Sequence, residues 1–313
     1  MTESAPVATP LDELVEAVAD QTGEGPESIR TWLEPFTDDG GVTAAAIEAT
    51  VTDVSQILAT AETRVDLATR THESVRDAAA DVPALDIVDV RRRAFEERLS
   101  DLRADVEALG GDLGSATDDL ESPVDVYRAA VDLHEITTGA QEVVRVAHDL
   151  ETELEAFEAW LSSANRRHDA LVDDVDGAEE SAAAVAEAVE ALRTEDAPEQ
   201  ERWFDATVQT RVLEVVVADL RAEAADLRAW ADGEGVSFPT DIGTRIDEVE
   251  AEVEATAEAL VDRPSLDDRF AERLETLETE LSAIDPPVAW ARVEGVIAEA
   301  REGISGETGG ADA

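Results

Sequence analysis

Lysine and cysteine are both missing from this chain of 313 residues, and asparagine appears once, at Asn165. Without cysteine there is no disulfide, no thiolate nucleophile and no Cys-ligated zinc. Without lysine there is neither a P-loop lysine nor a Schiff base. No run of about 20 apolar residues occurs, so no membrane-spanning helix is expected. The start, MTESAPVATPLDELVEAV, is acidic and carries no charged-then-apolar leader, so it does not read as a signal peptide.

What is present in excess is acid. Seventy-six Asp and Glu stand against 24 basic residues, all arginine, for a formal net charge of −52. At ordinary ionic strength such a surface repels itself over a screening length of about 8 Å, and at molar salt that length falls to roughly 3 Å. The composition therefore reads as a cytoplasmic protein of a salt-accumulating organism, a haloarchaeon. It also argues against anionic lipid and nucleic acid as main partners. A disordered acidic chain would be poor in apolar residues, whereas 43% are apolar here and they recur periodically.

The periodicity is helical throughout and predicts no strand. Two short helices, about 11–21 and 26–36, are joined by TGEGP and followed by TDDGG. From Thr43 a seam runs Ile47, Val51, Val54, Leu58, Ala61, Val65, Ala68, His72, Val75 and Ala79 in alternating steps of four and three, the mark of a coiled coil. Pro83 interrupts it. A helix at 86–109 repeats the pattern and is expected to stop at Gly110-Gly111. After Ser122-Pro123 one register holds for sixty residues, from Leu133 through Leu161, Ala164 and His168 to Leu192. It predicts a single rod of about 90 Å and leaves open whether Gly139 or Gly177 bends it. Further helices are expected at 199–232, 240–262, 266–284 and 288–303. The predicted fold is all-α, an elongated antiparallel coiled-coil or helical bundle with a small helix-turn-helix-like head. Its segments are a head at 1–42, a helix pair at 43–120, the rod with returning helices at 121–304, and a disordered tail at 305–313.

Candidate sites are few. Ala19, Gly23 and Ile29 have the spacing of a helix-turn-helix, but its second helix, PESIRTWLEPF, offers Arg30 alone against Glu27 and Glu34, where a DNA reader presents several basic or amide side chains. A helical hairpin that docks protein is the preferred reading, with Ile29, Arg30 and Trp32 as candidate docking residues; a DNA-associated regulator is the alternative. Arg91, Arg92 and Arg93, with Arg98 and Arg103, form the densest basic cluster; pairing with acidic neighbouring helices is the preferred reading, and a docking surface for an acidic partner is the alternative. Four histidines, at 72, 134, 148 and 168, show no HExxH spacing, and residues 172–183 lack the end carboxylates of a calcium loop. No nucleophile elbow or phosphate loop is found. The expectation is a protein with no enzymatic activity, cofactor, metal or small-molecule substrate, which binds protein partners or its own copies.

The stretches LDELVEAVADQTGEGPESIRTWLEPFTDDGGVT, ILATAETRVDLA and AFEERLSDLRADVEALGGDL resemble haloarchaeal coiled-coil proteins labelled "halo transducer protein". The similarity extends over most of the chain, and the label implies a part in signal transduction. The sequence departs from a chemoreceptor in having no membrane span and no glycine-bearing hairpin tip for a kinase. Glu179-Glu180 before Ser181 and Ala182 is similar to a receptor methylation site, a pairing that chance supplies readily in so acidic a chain.

Overall fold

The computed structural model describes residues 9–38, 40–116, 120, 122–194, 200–261 and 267–302. It is all-α in class, with ten α-helices among the described residues. The predicted tail at 305–313 lies outside the described residues. Two compact units divide the chain, residues 1–75 with 95–156 and residues 76–94 with 157–313. This division cuts across the segments drawn from sequence, because helices are shared between the units.

The first unit opens with α1 (Leu11–Thr22) and α2 (Pro26–Leu33), followed by a 3-10 turn at Glu34–Phe36. Gly23 ends α1 in the left-handed region at φ 77°, and its N–H returns to the Ala19 carbonyl at 2.9 Å. A side chain there would be strained, which is why glycine stands at the turn. Proline at the first position of α2 suits a helix start that has no partner for that N–H. Three two-residue strands, β1 (Thr9–Pro10), β2 (Thr37–Asp38) and β3 (Gly41–Val42), form a small antiparallel sheet in the order β1-β3-β2. The sequence predicted no strand. Gly40, at φ 82°, lies in the reversal that pairs β2 with β3, and β1 pairs with the other edge of β3.

Three long helices follow, α3 (Ala44–Ala80), α4 (Asp86–Ser115) and α5 (Pro123–Leu161). Arg103 donates to Thr69 Oγ1 at 2.9 Å, while Gly110 faces Leu58, so α4 runs antiparallel to α3. Arg98 meets Glu153 and Leu109 meets Gly139, so α4 is antiparallel to α5 as well. Ile47 and Val54 of α3 and Ala130, Leu133 and Ile136 of α5 share a core with the head's Leu14, Val18, Ile29 and Leu33. Each fully buried aliphatic side chain there contributes roughly 1.5–3 kcal/mol. The Tyr127 hydroxyl donates to Glu24 at 2.6 Å, and burial together with that carboxylate pushes its pKa up to about 12.

One expectation is corrected here. α4 does not stop at Gly110-Gly111 but continues to Ser115, since Leu109 and Leu113 pack into the same core and hold the helix past its weak residues. Gly139 lies within α5 at a close approach, where a Cβ would stand 2.9 Å from Leu109 Cδ2.

The second unit corrects the single rod. Helix α5 ends at Leu161, and α6 (Ala164–Thr194) begins after Ser162 and Ser163. Ser163 Oγ accepts the Arg166 N–H at 3.4 Å, a long cap at the new N-terminus. The buried Arg167 reaches back to take the Leu161 carbonyl at 3.0 Å, one of the acceptors the break leaves without a helical partner. Helix α7 (Gln200–Glu234) runs antiparallel to α6, with Arg167 paired to Glu234, and α8 (Ile242–Val261) returns against α7, with Arg221 on Asp247 at 2.7 Å. Arg245 of α8 holds Glu179 of α6 at 2.7 Å. Helix α9 (Asp268–Ser282) lies alongside α7 through Arg211 and Glu278, and α10 (Trp290–Arg301) folds back on α9, where Arg273 takes the Ala300 carbonyl. Gly177 sits inside α6 without interrupting it.

Candidate functional site

The three consecutive arginines do not form one patch. Successive residues of a helix point about 100° apart. Arg93 is exposed, Arg92 pairs with Asp89 at 3.3 Å on its own helix, and Arg91 turns inward. Its guanidinium donates to Glu223 Oε1 at 2.8 Å and lies 4.6 Å from the Trp160 ring centroid.

Around Arg91 is a cavity of about 420 Å³. The start of α4 contributes Ile87 and Val90, α6 contributes Asp174 and Ser181, α7 contributes Asp219 and Glu223, and the approach to α10 contributes Val288 and Trp290. Asp219, Glu223 and Asp226 stand at i, i+4 and i+7, one face of α7, so the helix presents three carboxylates together. Each has its own partner. Asp219 accepts the Val288 N–H at 2.7 Å and the Trp290 indole N–H at 3.0 Å, Glu223 takes Arg91, and Asp226 accepts the Ile87 N–H at 3.1 Å, capping the first turn of α4.

Three acids and one guanidinium leave the cavity short of positive charge. Burial pushes the Glu223 pKa up to about 7; Asp174 and Asp219 add to the rise and Arg91 opposes it. Burial also raises Asp219 against the two hydrogen bonds it accepts. Asp174, at the open rim, is raised first by lost solvation and then by Asp173 and Asp219, again against Arg91. Among the described residues no group of three or more side chains is placed to hold a metal ion.

The head places its candidates differently. Ile29 is 0% exposed and belongs to the core between α1 and α2. Trp32 is half-buried and meets the His134 ring edge-on at 4.8 Å. Arg30 is paired with Asp12, and its neighbours Glu27 and Glu34 are exposed, so the surface around it is acidic. Within the first unit Ile29 is interior, Arg30 is paired and Trp32 is half-buried; within the second Arg91 and Arg92 are paired and Arg93 is exposed.

The acidic stripe of α7 escaped sequence reading. Its i, i+4, i+7 spacing is visible, but in a chain with 76 acids such spacing does not stand out. The distinguishing feature is the arginine it meets, 132 residues away in the chain.

No protein-family model, curated protein or solved structure matches the chain. Among the described residues no helix is long and apolar enough to cross a membrane.

Proposed function

We propose that this chain works by binding protein partners, as a non-enzymatic adaptor or scaffold of a signalling system, in the molar-salt cytoplasm of a haloarchaeon. The observation that carries the reading is the fate of the helices' two faces. Seam residues such as Leu58, Val65, Leu150, Leu171 and Val189 are buried, while the outward faces carry acid and arginine–carboxylate pairs. Such a division of faces supports a reading as helices held together by their interior and meeting others by their surface. The resemblance to proteins labelled "halo transducer protein" supports the signalling part, and the charge of −52 supports the salt-rich compartment.

In this reading α1 and α2 form a helix-turn-helix-like hairpin used for protein contact. The alternative, a DNA-associated regulator, draws on the Ala19–Gly23–Ile29 geometry. Against it stands Arg30, the one base of α2, held by Asp12 among exposed acids.

The test is an affinity capture from a lysate of the source cells kept in molar potassium chloride, with partners identified by mass spectrometry. Recovery of receptor or kinase components is expected. Recovery of the bait alone, or of DNA with its usual proteins, would overturn the adaptor reading.

A further inference from the structure

The first turns of α4 are fastened to α7 by polar contacts that converge on one cavity. Asp226 holds the Ile87 N–H, and Arg91 reaches Glu223 while covering the Trp160 ring. Glu223 is the most enclosed carboxyl of the group, 3% exposed. The charged groups that face it are Arg91 from α4, Asp174 from α6 and Asp219 from its own helix; the α10 side brings the uncharged Val288 and Trp290. Desolvation makes an ionised carboxyl costly in such a place, and two like charges add to the cost. The guanidinium answers only part of it.

We propose that Glu223 is a proton-operated latch on α4. Protonated, it lets the segment 86–94 rest closed on α7. Ionised, it favours lifting of that segment, which hydrates the carboxylate and uncovers Ile87, Val88 and the Trp160 ring. All three are buried in the closed state. Among the described residues the large hydrophobics left exposed are Val236, Val261 and Trp290, so opening would create the broadest apolar surface this unit offers. The latch stands on its own geometry; its use in docking a partner rests on the adaptor reading above.

The direction follows from linkage. Glu223 titrates at about 7 when closed, against 4.5 for its ordinary value, which hydration in the open segment restores. The closed state holds its proton longer, so its advantage is full below pH 4.5 and is lost as the pH rises through 7. Between pH 6 and 8 the opening equilibrium therefore rises about tenfold.

Hydrogen exchange read by mass spectrometry, on the full chain in molar potassium chloride at pH 6, 7 and 8, tests this after correction for intrinsic exchange rates. Segment 86–94 is expected to gain about tenfold in opening relative to α8, and Glu223→Gln to abolish that gain. Asp174→Asn, an exposed rim change that removes one of the charges raising Glu223, should shrink it, and serves where Glu223→Gln does not fold. A wild-type slope for 86–94 equal to that of α8, or a tenfold gain that survives Glu223→Gln, would overturn the latch. Neither result depends on a partner, so the lysate capture remains a separate test of the adaptor.

Discussion

Arg167 lies with its guanidinium carbon 3.6 Å from the centroid of the Trp230 ring, and is itself 2% exposed. The same group serves the Leu161 carbonyl and Glu234, so one cation closes the end of α5, the start of α6 and the end of α7. Desolvation pulls its pKa down and Glu234 pulls it up, but an arginine remains charged through any working pH. Arg167 thus bridges the break between α5 and α6.

Arg167→Ala should cost about 3 kcal/mol, by leaving buried acceptors unpaired and a void over Trp230. Arg167→Lys should recover part of that but not all, since a point charge cannot stack on the ring while reaching two acceptors in a fixed fork. Urea unfolding in molar potassium chloride, followed by helical circular dichroism, measures both. A wild-type midpoint for Arg167→Lys would contradict the fork.

Two glycines inside helices should respond differently to alanine. Gly177 has nothing within 4 Å of its would-be Cβ, so Gly177→Ala should stabilise by up to about 1 kcal/mol through helix propensity. At Gly139 the same gain meets Leu109 Cδ2 at 2.9 Å, and the side chain must shift to admit a methyl. Gly139→Ala should therefore fall short of Gly177→Ala in the same urea assay. Equal gains would mean that α4 and α5 are not in close contact there.

The head should unfold separately when its core is charged. Ile29→Asp places a carboxylate among Leu14, Val18 and Leu33, a cost of several kcal/mol for a buried unpaired charge. Limited proteolysis should then cut within 9–42 while 164–194 stays protected, with most helicity kept. Unchanged proteolysis would count against the hairpin core.

His168 gives a pH signature. Burial and the neighbouring Arg167 hold its pKa below the ordinary value, opposed by Asp169 and Glu234, and its ring meets Phe238 edge-on at 5.3 Å. The folded state thus favours the neutral ring. That contribution is full above the unfolded value of about 6.5 and is lost as the pH falls below it. Subtracting the Glu223-linked slope, which runs the other way, requires a difference measurement: wild type minus His168→Phe, stability against pH. The difference should grow in favour of His168→Phe as the pH drops from 7 to 5. A flat difference would place His168 in solvent.

Much of this architecture is visible in the amino-acid order. The seams of α3, α6, α7 and α8 mark residues that are in fact buried, among them Val54, Leu171, Leu213 and Val249, because a period near 3.5 is a direct image of a helix with one covered face. The break at Ser162–Ser163 was invisible, since Leu161, Ala164 and His168 keep the register on both sides and serine is only a weak stop. What decides it is tertiary: Arg167 finds Trp230 and Glu234 only once the chain has folded. The glycine pair at 110–111 misled for the converse reason, packing of Leu109 and Leu113 outweighing local propensity. The acidic cavity was hidden in the composition. An excess of 76 acids makes Glu223 look like any other until Arg91 is seen against it.

The central claim is that the chain meets another polypeptide through its folded surface. Because it has no lysine, carboxyl-reactive dihydrazide cross-linkers, which join Asp and Glu, suit it better than amine reagents. Cross-linking in a molar-salt lysate of the source cells, followed by peptide mapping, should yield links from carboxylates flanking the cavity, Asp86, Asp89 or Asp174, to one recurrent second polypeptide, with more of them at pH 8 than at pH 6. Links confined to the chain itself at both pH values would contradict it.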